Sequence, residues 1–101
     1  VEKMNFAYRE SSGNTSATAA DRVVALTAKG KTVTLPTAAS VRSGFVLTIK
    51  DASGEASTGS DAQTISRSGS DTIDGATSIT IIAPYGSVDL VSDGSTKWYV
   101  M

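Results

Sequence analysis

Phe45-Val46-Leu47-Thr48-Ile49-Lys50, running into Asp51-Ala52-Ser53-Gly54, is the stretch that decides how this chain folds. Phe45, Leu47 and Ile49 fall on one side and Val46, Thr48 and Lys50 on the other, the period of two that marks a half-buried β-strand. The next four residues carry Asp first and Gly last, the preferred pattern of a type I turn.

Working outward, the same alternation recurs on both sides. Toward the C-terminus, Glu55 to Ala62 reads as an exposed loop, Gln63 to Arg67 as a short strand around Ile65, and Ser68 to Gly75 as a polar corner anchored by Ile73. Ser78 to Ile81 alternates again, with Ile82 on the opposite face, and Pro84-Tyr85-Gly86 turns the chain. Ser87 to Val91 is the next strand. Ser92-Asp93-Gly94-Ser95 contains the Asp-Gly pair favoured in hairpin turns, and Lys97 to Val100 returns with Trp98 and Val100 placed to pack on Val88 and Leu90. Toward the N-terminus, Thr37 to Val41 suits a single helical turn ended by Ser43-Gly44. Lys31 to Leu35 puts Val33 and Leu35 inward, and Arg22 to Thr27 does the same with Val24 and Leu26. The connection Ala28-Lys29-Gly30 implies that these two runs form a hairpin, which Pro36 terminates because it has no N–H to donate. A helix over Thr18 to Lys29 competes on its alanines and terminal glycine; the β-branched content favours the strand.

About seven or eight short strands at roughly ten-residue spacing predict an all-β domain, a small sandwich or barrel-like antiparallel sheet stack. With 101 residues there is room for one such domain. Residues 21–101 carry the strand pattern. Residues 1–20 differ: Met4, Phe6 and Tyr8 alternate once, and Ser11-Ser12-Gly13-Asn14-Thr15-Ser16 has linker composition, so this stretch is expected to be an arm or linker that connects to or docks on a neighbouring subunit. The start at Val1 suggests a segment of something longer.

Composition narrows the chemistry. The chain has no cysteine and no histidine, and 28 residues are Ser or Thr. That excludes disulfides, thiolate or imidazole metal sites, Cys nucleophiles and every triad with a His base. A formal net charge of −1 gives no electrostatic reason to seek nucleic acid or an acidic membrane. Arg22, Lys29, Lys31, Arg42, Lys50 and Arg67 are scattered among acids and read as solubility and edge protection. The start of the chain has no signal-peptide pattern, and its longest apolar run, Ile81 to Tyr85, is far too short to cross a bilayer.

Acidic corners are the only candidates for cation binding: Asp51 with Glu55, Asp71 with Asp74, and Asp89 with Asp93. None has the spacing of a calcium-binding loop, and Asp in turns ordinarily accepts backbone N–H bonds, so no metal and no cofactor is expected. Trp98 and Tyr99 suggest a sugar-stacking platform, but alternation points one of the two rings inward, and Trp98 is assigned to the core. Tyr85 and Tyr99 remain as candidate ligand contacts.

The large inward residues, Val24, Val33, Leu35, Phe45, Leu47, Ile49, Ile79, Ile81, Val88, Leu90 and Trp98, make a thin core. Ordering each residue costs roughly 1.5 kcal/mol against a gain of about 25 cal/mol for each Å² of apolar surface buried. Outward apolar residues are then left wet, and association is the remedy. Val46, Ile82, Val91, Tyr99 and Met101 are the expected oligomer interface.

Four motifs in order suggest a relationship. Thr32-Val33-Thr34-Leu35-Pro36-Thr37-Ala38-Ala39, Leu47-Thr48-Ile49-Lys50-Asp51-Ala52-Ser53-Gly54, Asp71-Thr72-Ile73-Asp74-Gly75 and the closing Ser87 to Val100 resemble segments of bacteriophage tail-fibre and virion-appendage spike domains. The likeness spans residues 22–101. It implies a non-enzymatic structural and adhesion module of a virus fibre, spike or tail. Such a module is a homotrimer on the virion surface, extracellular once the particle is released, contacting other virion proteins and a host cell-surface glycan. Competing readings are a monomeric carbohydrate-binding or secreted adhesin module, and a capsid decoration protein.

Overall fold

The computed structural model describes residues 7–101. Residues Met4 and Phe6, part of the alternation read at the N-terminus, lie outside the described residues.

Among the described residues ten strands form two mixed sheets. The first six alternate between them: β1 (Tyr8–Ser11), β3 (Val23–Leu26) and β5 (Val46–Asp51) enter one sheet, while β2 (Thr15–Ser16), β4 (Thr32–Thr34) and β6 (Gln63–Ser66) enter the other. Within each sheet these strands are parallel, β1 on β3 on β5 and β2 on β4 on β6. The chain thus winds as stacked coils, with one strand of every coil in each sheet. The remaining strands close the far end. β8 (Ser78–Ile81) runs antiparallel to β6, β9 (Ser87–Ser92) antiparallel to β5, and β10 (Lys97–Val100) antiparallel to β9, with β7 (Thr72–Ile73) parallel along the edge of β10.

The sandwich expected from the sequence is present, but five of its eight strand pairings are parallel. The reason lies between β3 and β4, which form no hairpin: they sit in opposite sheets, and Leu26 and Val33 enter the shared core from the two sides. Alternation is the same for a strand that turns back in its own sheet and for one that crosses to the facing sheet. What decides is Gln63, fully buried, which satisfies both sides of the 27–31 arc. Its Oε1 accepts the Lys31 N–H at 2.9 Å and its Nε2 donates to the Ala28 carbonyl at 2.8 Å. An arc that crosses between sheets leaves its backbone groups unpaired unless a side chain supplies the bonds.

The same winding corrects the assignment of residues 1–20 as an arm or linker. Over its described part this stretch is the first coil, with β1 in register on β3 from Tyr8 opposite Val23 to Ser11 opposite Leu26. Arg9, in register with Val24, lies partly buried at that edge. Its guanidinium grips Asp21 through two hydrogen bonds of 3.2 and 3.1 Å and also donates to Thr15 Oγ1 at 2.9 Å. Burial pushes the Asp21 carboxyl up, but the bonds from Arg9 and the Thr18 N–H outweigh it and lower its pKa.

The core between the sheets comprises Val24, Leu26, Val33, Leu35, Leu47, Ile49, Ile65, Ile73, Ile81, Leu90 and Trp98, with Phe45, Ile79, Val88 and Val100 partly buried against it. Ala17, Ala38 and Ala56 fill the corners. Ala56 lies in the stretch read as an exposed loop; it is drawn in because its N–H bonds the buried Asp51 carboxylate. Trp98 meets Phe45 edge to face, with ring centroids 6.3 Å apart, and its indole N–H donates to the Pro36 carbonyl at 3.2 Å.

The β9–β10 hairpin forms where expected but with a wider loop, closed by Asp93 N–H on the Lys97 carbonyl. Asp93 Oδ1 accepts the N–H groups of Ser95, Thr96 and Lys97, and these bonds, that of Lys97 foremost, hold its carboxyl below the usual range. Gly94 adopts φ +80, and a Cβ there would meet the Ser43 backbone nitrogen at 2.7 Å. Gly94→Ala is therefore expected to destabilise the fold by about 1–2 kcal/mol or more, from left-handed strain plus the collision. The control Gly13→Ala, at a site with nothing within 4 Å, should stay within about 0.5 kcal/mol of the parent in urea unfolding. Equal midpoints for both variants would refute this account of the turn.

Candidate functional site

Three surface features carry what chemistry the fold displays. The first is the outer face of the six-stranded sheet. Val46 pairs with Val91 and Val91 with Tyr99, so three of the expected interface residues form one row across adjacent strands. Tyr99 is 45% exposed, and Met101, next on the same face of the chain, is 65% exposed. Val23 and the exposed Tyr8, which the sequence reading did not include, face the same side at the β1–β3 pair. The alternation of Tyr8 is the available signal, masked by the linker composition of Ser11 to Ser16 that follows it. Ile82 does not join this row: it follows β8, the edge strand of the other sheet, although it is half exposed. Polar positions separate the row from the rest of the face, Thr48 donating to Asp89 Oδ1 at 2.7 Å.

Tyr85 and Tyr99, the two expected ligand contacts, do not converge. Tyr85 lies at the Lys50 end of β5, where the Lys50 ammonium donates to the Tyr85 carbonyl and sits 5.9 Å from its ring centroid. Tyr99 lies at the Val46 end, four residue positions away, or about 13 Å at the rise of a strand. Trp98 is fully buried and offers no face to a ligand.

The second feature is the outer face of the four-stranded sheet. Register aligns Ser16, Thr34, Ser66 and Ser78 in one row and Thr32, Thr64 and Thr80 in the next. A shallow groove of about 590 Å³ crosses Asn14, Ser16, Thr32 and Thr34, and its lining is uncharged.

The third is a cleft of about 450 Å³ at the end of the sandwich where β3 begins and the 41–45 turn enters β5. Arg22, Arg42, Ser40, Ser43 and Phe45 line it. The sequence reading treated these cations as scattered; residues distant along the chain meet only because β3 lies beside β5.

The acidic corners serve the backbone. Asp51, fully buried, accepts five hydrogen bonds, from Ser53 N–H, Ser53 Oγ and Gln63 Nε2 on one oxygen and from the Ala56 and Tyr85 N–H groups on the other. Burial pushes this carboxyl up, but those bonds more than offset it and hold it well below the usual carboxylate range. Glu55 turns away to Lys29 at 4.0 Å. Asp71 accepts the Ala38 N–H at 2.8 Å, while Asp74 accepts that of Val100 at 3.1 Å. Among the described residues no three acidic groups converge to hold a metal ion.

No protein family, no curated protein and no solved structure matches this chain.

Proposed function

We propose that this chain is a non-catalytic structural and adhesion module of a virion appendage, a tail fibre or spike, acting as a homotrimer at the particle surface and linking or presenting a host-binding surface. The observation that carries the reading is the row Val46–Val91–Tyr99, an apolar stripe at mid-sheet on the outward face of the six-stranded sheet. A stripe of this kind is what a subunit contact uses, with polar groups at its rim. The trimeric state and the virion setting rest on the four-motif resemblance over residues 22–101. The side-chain alphabet, which lacks Cys and His, supports a non-catalytic role. Burial of Trp98 removes the strongest platform that a monomeric sugar-binding module would need.

Light scattering during size-exclusion chromatography tests this reading. The expected mass is three times 10.3 kDa, independent of dilution. Tyr99→Asp should reduce it to the monomer while circular dichroism keeps its β signature, whereas Ile82→Asp, off the row, should leave it unchanged. A monomeric parent, or a Tyr99→Asp protein of undiminished mass, overturns the proposal.

A further inference from the structure

Arg9 and the cleft arginines are used in opposite ways. Arg9 is spent inside the fold, its guanidinium bonded to both Asp21 oxygens, to Thr15 Oγ1 and to the Ser16 carbonyl. Asp21 is turned to Arg9 and the Thr18 N–H and makes no bond to its chain neighbour Arg22. Among the described residues neither the Arg22 nor the Arg42 guanidinium has a hydrogen bond or an ion pair, and no acid lines their cleft. On a chain whose formal net charge is −1, this is a local excess of positive charge in a concave place.

Arg22 has its guanidinium held in position, and Arg42 its backbone. Arg22 lies over the Phe45 ring, 5.2 Å from its centroid, and Phe45 is itself set edge-on against buried Trp98. Stacking on a ring face leaves the N–H edge of a guanidinium free to donate. Arg42 opens a tight turn closed by Phe45 N–H on its carbonyl, with Gly44 at φ +88 and its N–H bonded to the Ser92 carbonyl of β9. Ser43 adds a hydroxyl to the lining. A volume of about 450 Å³ lies within the range of roughly 300–1,000 Å³ typical of small-molecule sites. Guanidinium forks match the oxygens of a carboxylate or sulfate in paired, charge-assisted hydrogen bonds.

We propose that the Arg22–Arg42 cleft binds an anionic saccharide unit, its carboxylate or sulfate held by the two guanidiniums and its hydroxyls by Ser40 and Ser43. The saccharide assignment rests on the adhesion reading above; the preference for an anionic group rests on the cleft alone. Such a site would discriminate charged from neutral glycans, a distinction that the uncharged hydroxyl rows on the opposite sheet have no means to make.

Calorimetric titration of the intact chain with a uronate-containing disaccharide, a sulfated disaccharide and a neutral disaccharide tests the proposal. Saturable binding of an anionic disaccharide, weakened by added salt, is expected, and the uronate and sulfate arms show which oxyanion is preferred. Arg22→Ala or Arg42→Ala should each weaken it by about tenfold or more, the loss expected of charge-assisted hydrogen bonds. Arg22→Lys should recover only part of the affinity, since an ammonium lacks the fork, and Arg67→Ala, outside the cleft, should change nothing. Equal affinity for the neutral disaccharide, no binding of either anionic one, or an equal loss in Arg67→Ala overturns it. Mass measured on the same samples separates the two ideas: a trimer that binds no anionic sugar sinks the cleft and leaves the appendage reading standing, while a monomer that binds one does the reverse.

Discussion

Asp51→Ala is expected to remove about 3–5 kcal/mol of folding stability, which is most of the margin of a domain whose total is about 5–15 kcal/mol. The carboxylate is the knot of three chain segments: it joins the end of β5 to the following loop through Ser53 and Ala56, to β6 through Gln63, and to the 82–86 turn through the Tyr85 N–H. Truncation leaves the Ala56 N–H and one of the two N–H groups of Gln63 Nε2, the other still bonded to the Ala28 carbonyl, buried without an acceptor, at about 1–3 kcal/mol each, besides losing bonds to a charged group. The expected fall in melting temperature is about 15–25 °C. Asp51→Asn separates shape from charge: the amide keeps one acceptor oxygen but aims an NH₂ at donors, so it too should destabilise strongly. A loss below about 1 kcal/mol in both variants would refute the assigned role.

The same group dictates an acid response. Its folded pKa lies below the unfolded value of 3.8, so the unfolded chain binds the proton more readily as pH falls. Stability from Asp51 is therefore complete above the unfolded pKa and is lost as pH drops through the folded one. Asp21, lowered in the same direction, adds to the slope. Unfolding free energy measured from pH 5 downward should fall steeply in the parent and less steeply in Asp51→Asn. Parallel curves would place the acid sensitivity elsewhere.

Trp98→Ala is the second large effect, about 3–5 kcal/mol, for a fully buried indole whose loss opens a cavity. Part of that cost is specific: the Phe45 edge contact and the N–H bond to the Pro36 carbonyl both disappear. Trp98→Phe keeps ring and volume approximately and should cost less, while leaving the Pro36 carbonyl without its donor. Because the tryptophan is the only one in the chain, its emission reports directly: a short-wavelength maximum poorly quenched by acrylamide is expected. A long-wavelength, readily quenched maximum would return Trp98 to the surface and revive the sugar-platform reading. The substitution reaches the cleft as well, since Phe45 carries Arg22.

Much of the interior was legible from alternation. Leu47 and Ile49 on β5, Leu90 on β9 and Trp98 on β10 point inward as read, because a half-buried strand can be patterned in only one way. Which outward apolar residues share a row is not legible from alternation. Val46, Val91 and Tyr99 share a row because β5, β9 and β10 are neighbours in register; Ile82 had an equally outward pattern, yet its strand belongs to the other sheet.

The chain's own residues therefore determined that it is an all-β sandwich or barrel-like stack, and which side of strands such as β5, β9 and β10 is buried. These follow from local period and composition, which act within a few residues. Tertiary structure alone decided that the first half winds in parallel coils, that Tyr8 to Ser16 belong to the sandwich, that Asp51 and Gln63 form its buried polar knot, and that Arg22 and Arg42 share a cleft. Each depends on a partner distant along the chain: Gln63 satisfies an arc that a glycine turn would fit equally well in a hairpin, and two arginines of no recognisable spacing become one site once β3 and β5 lie side by side. Backbone groups must find bonds wherever the fold places them, and only the assembled sheets settle which side chains supply them.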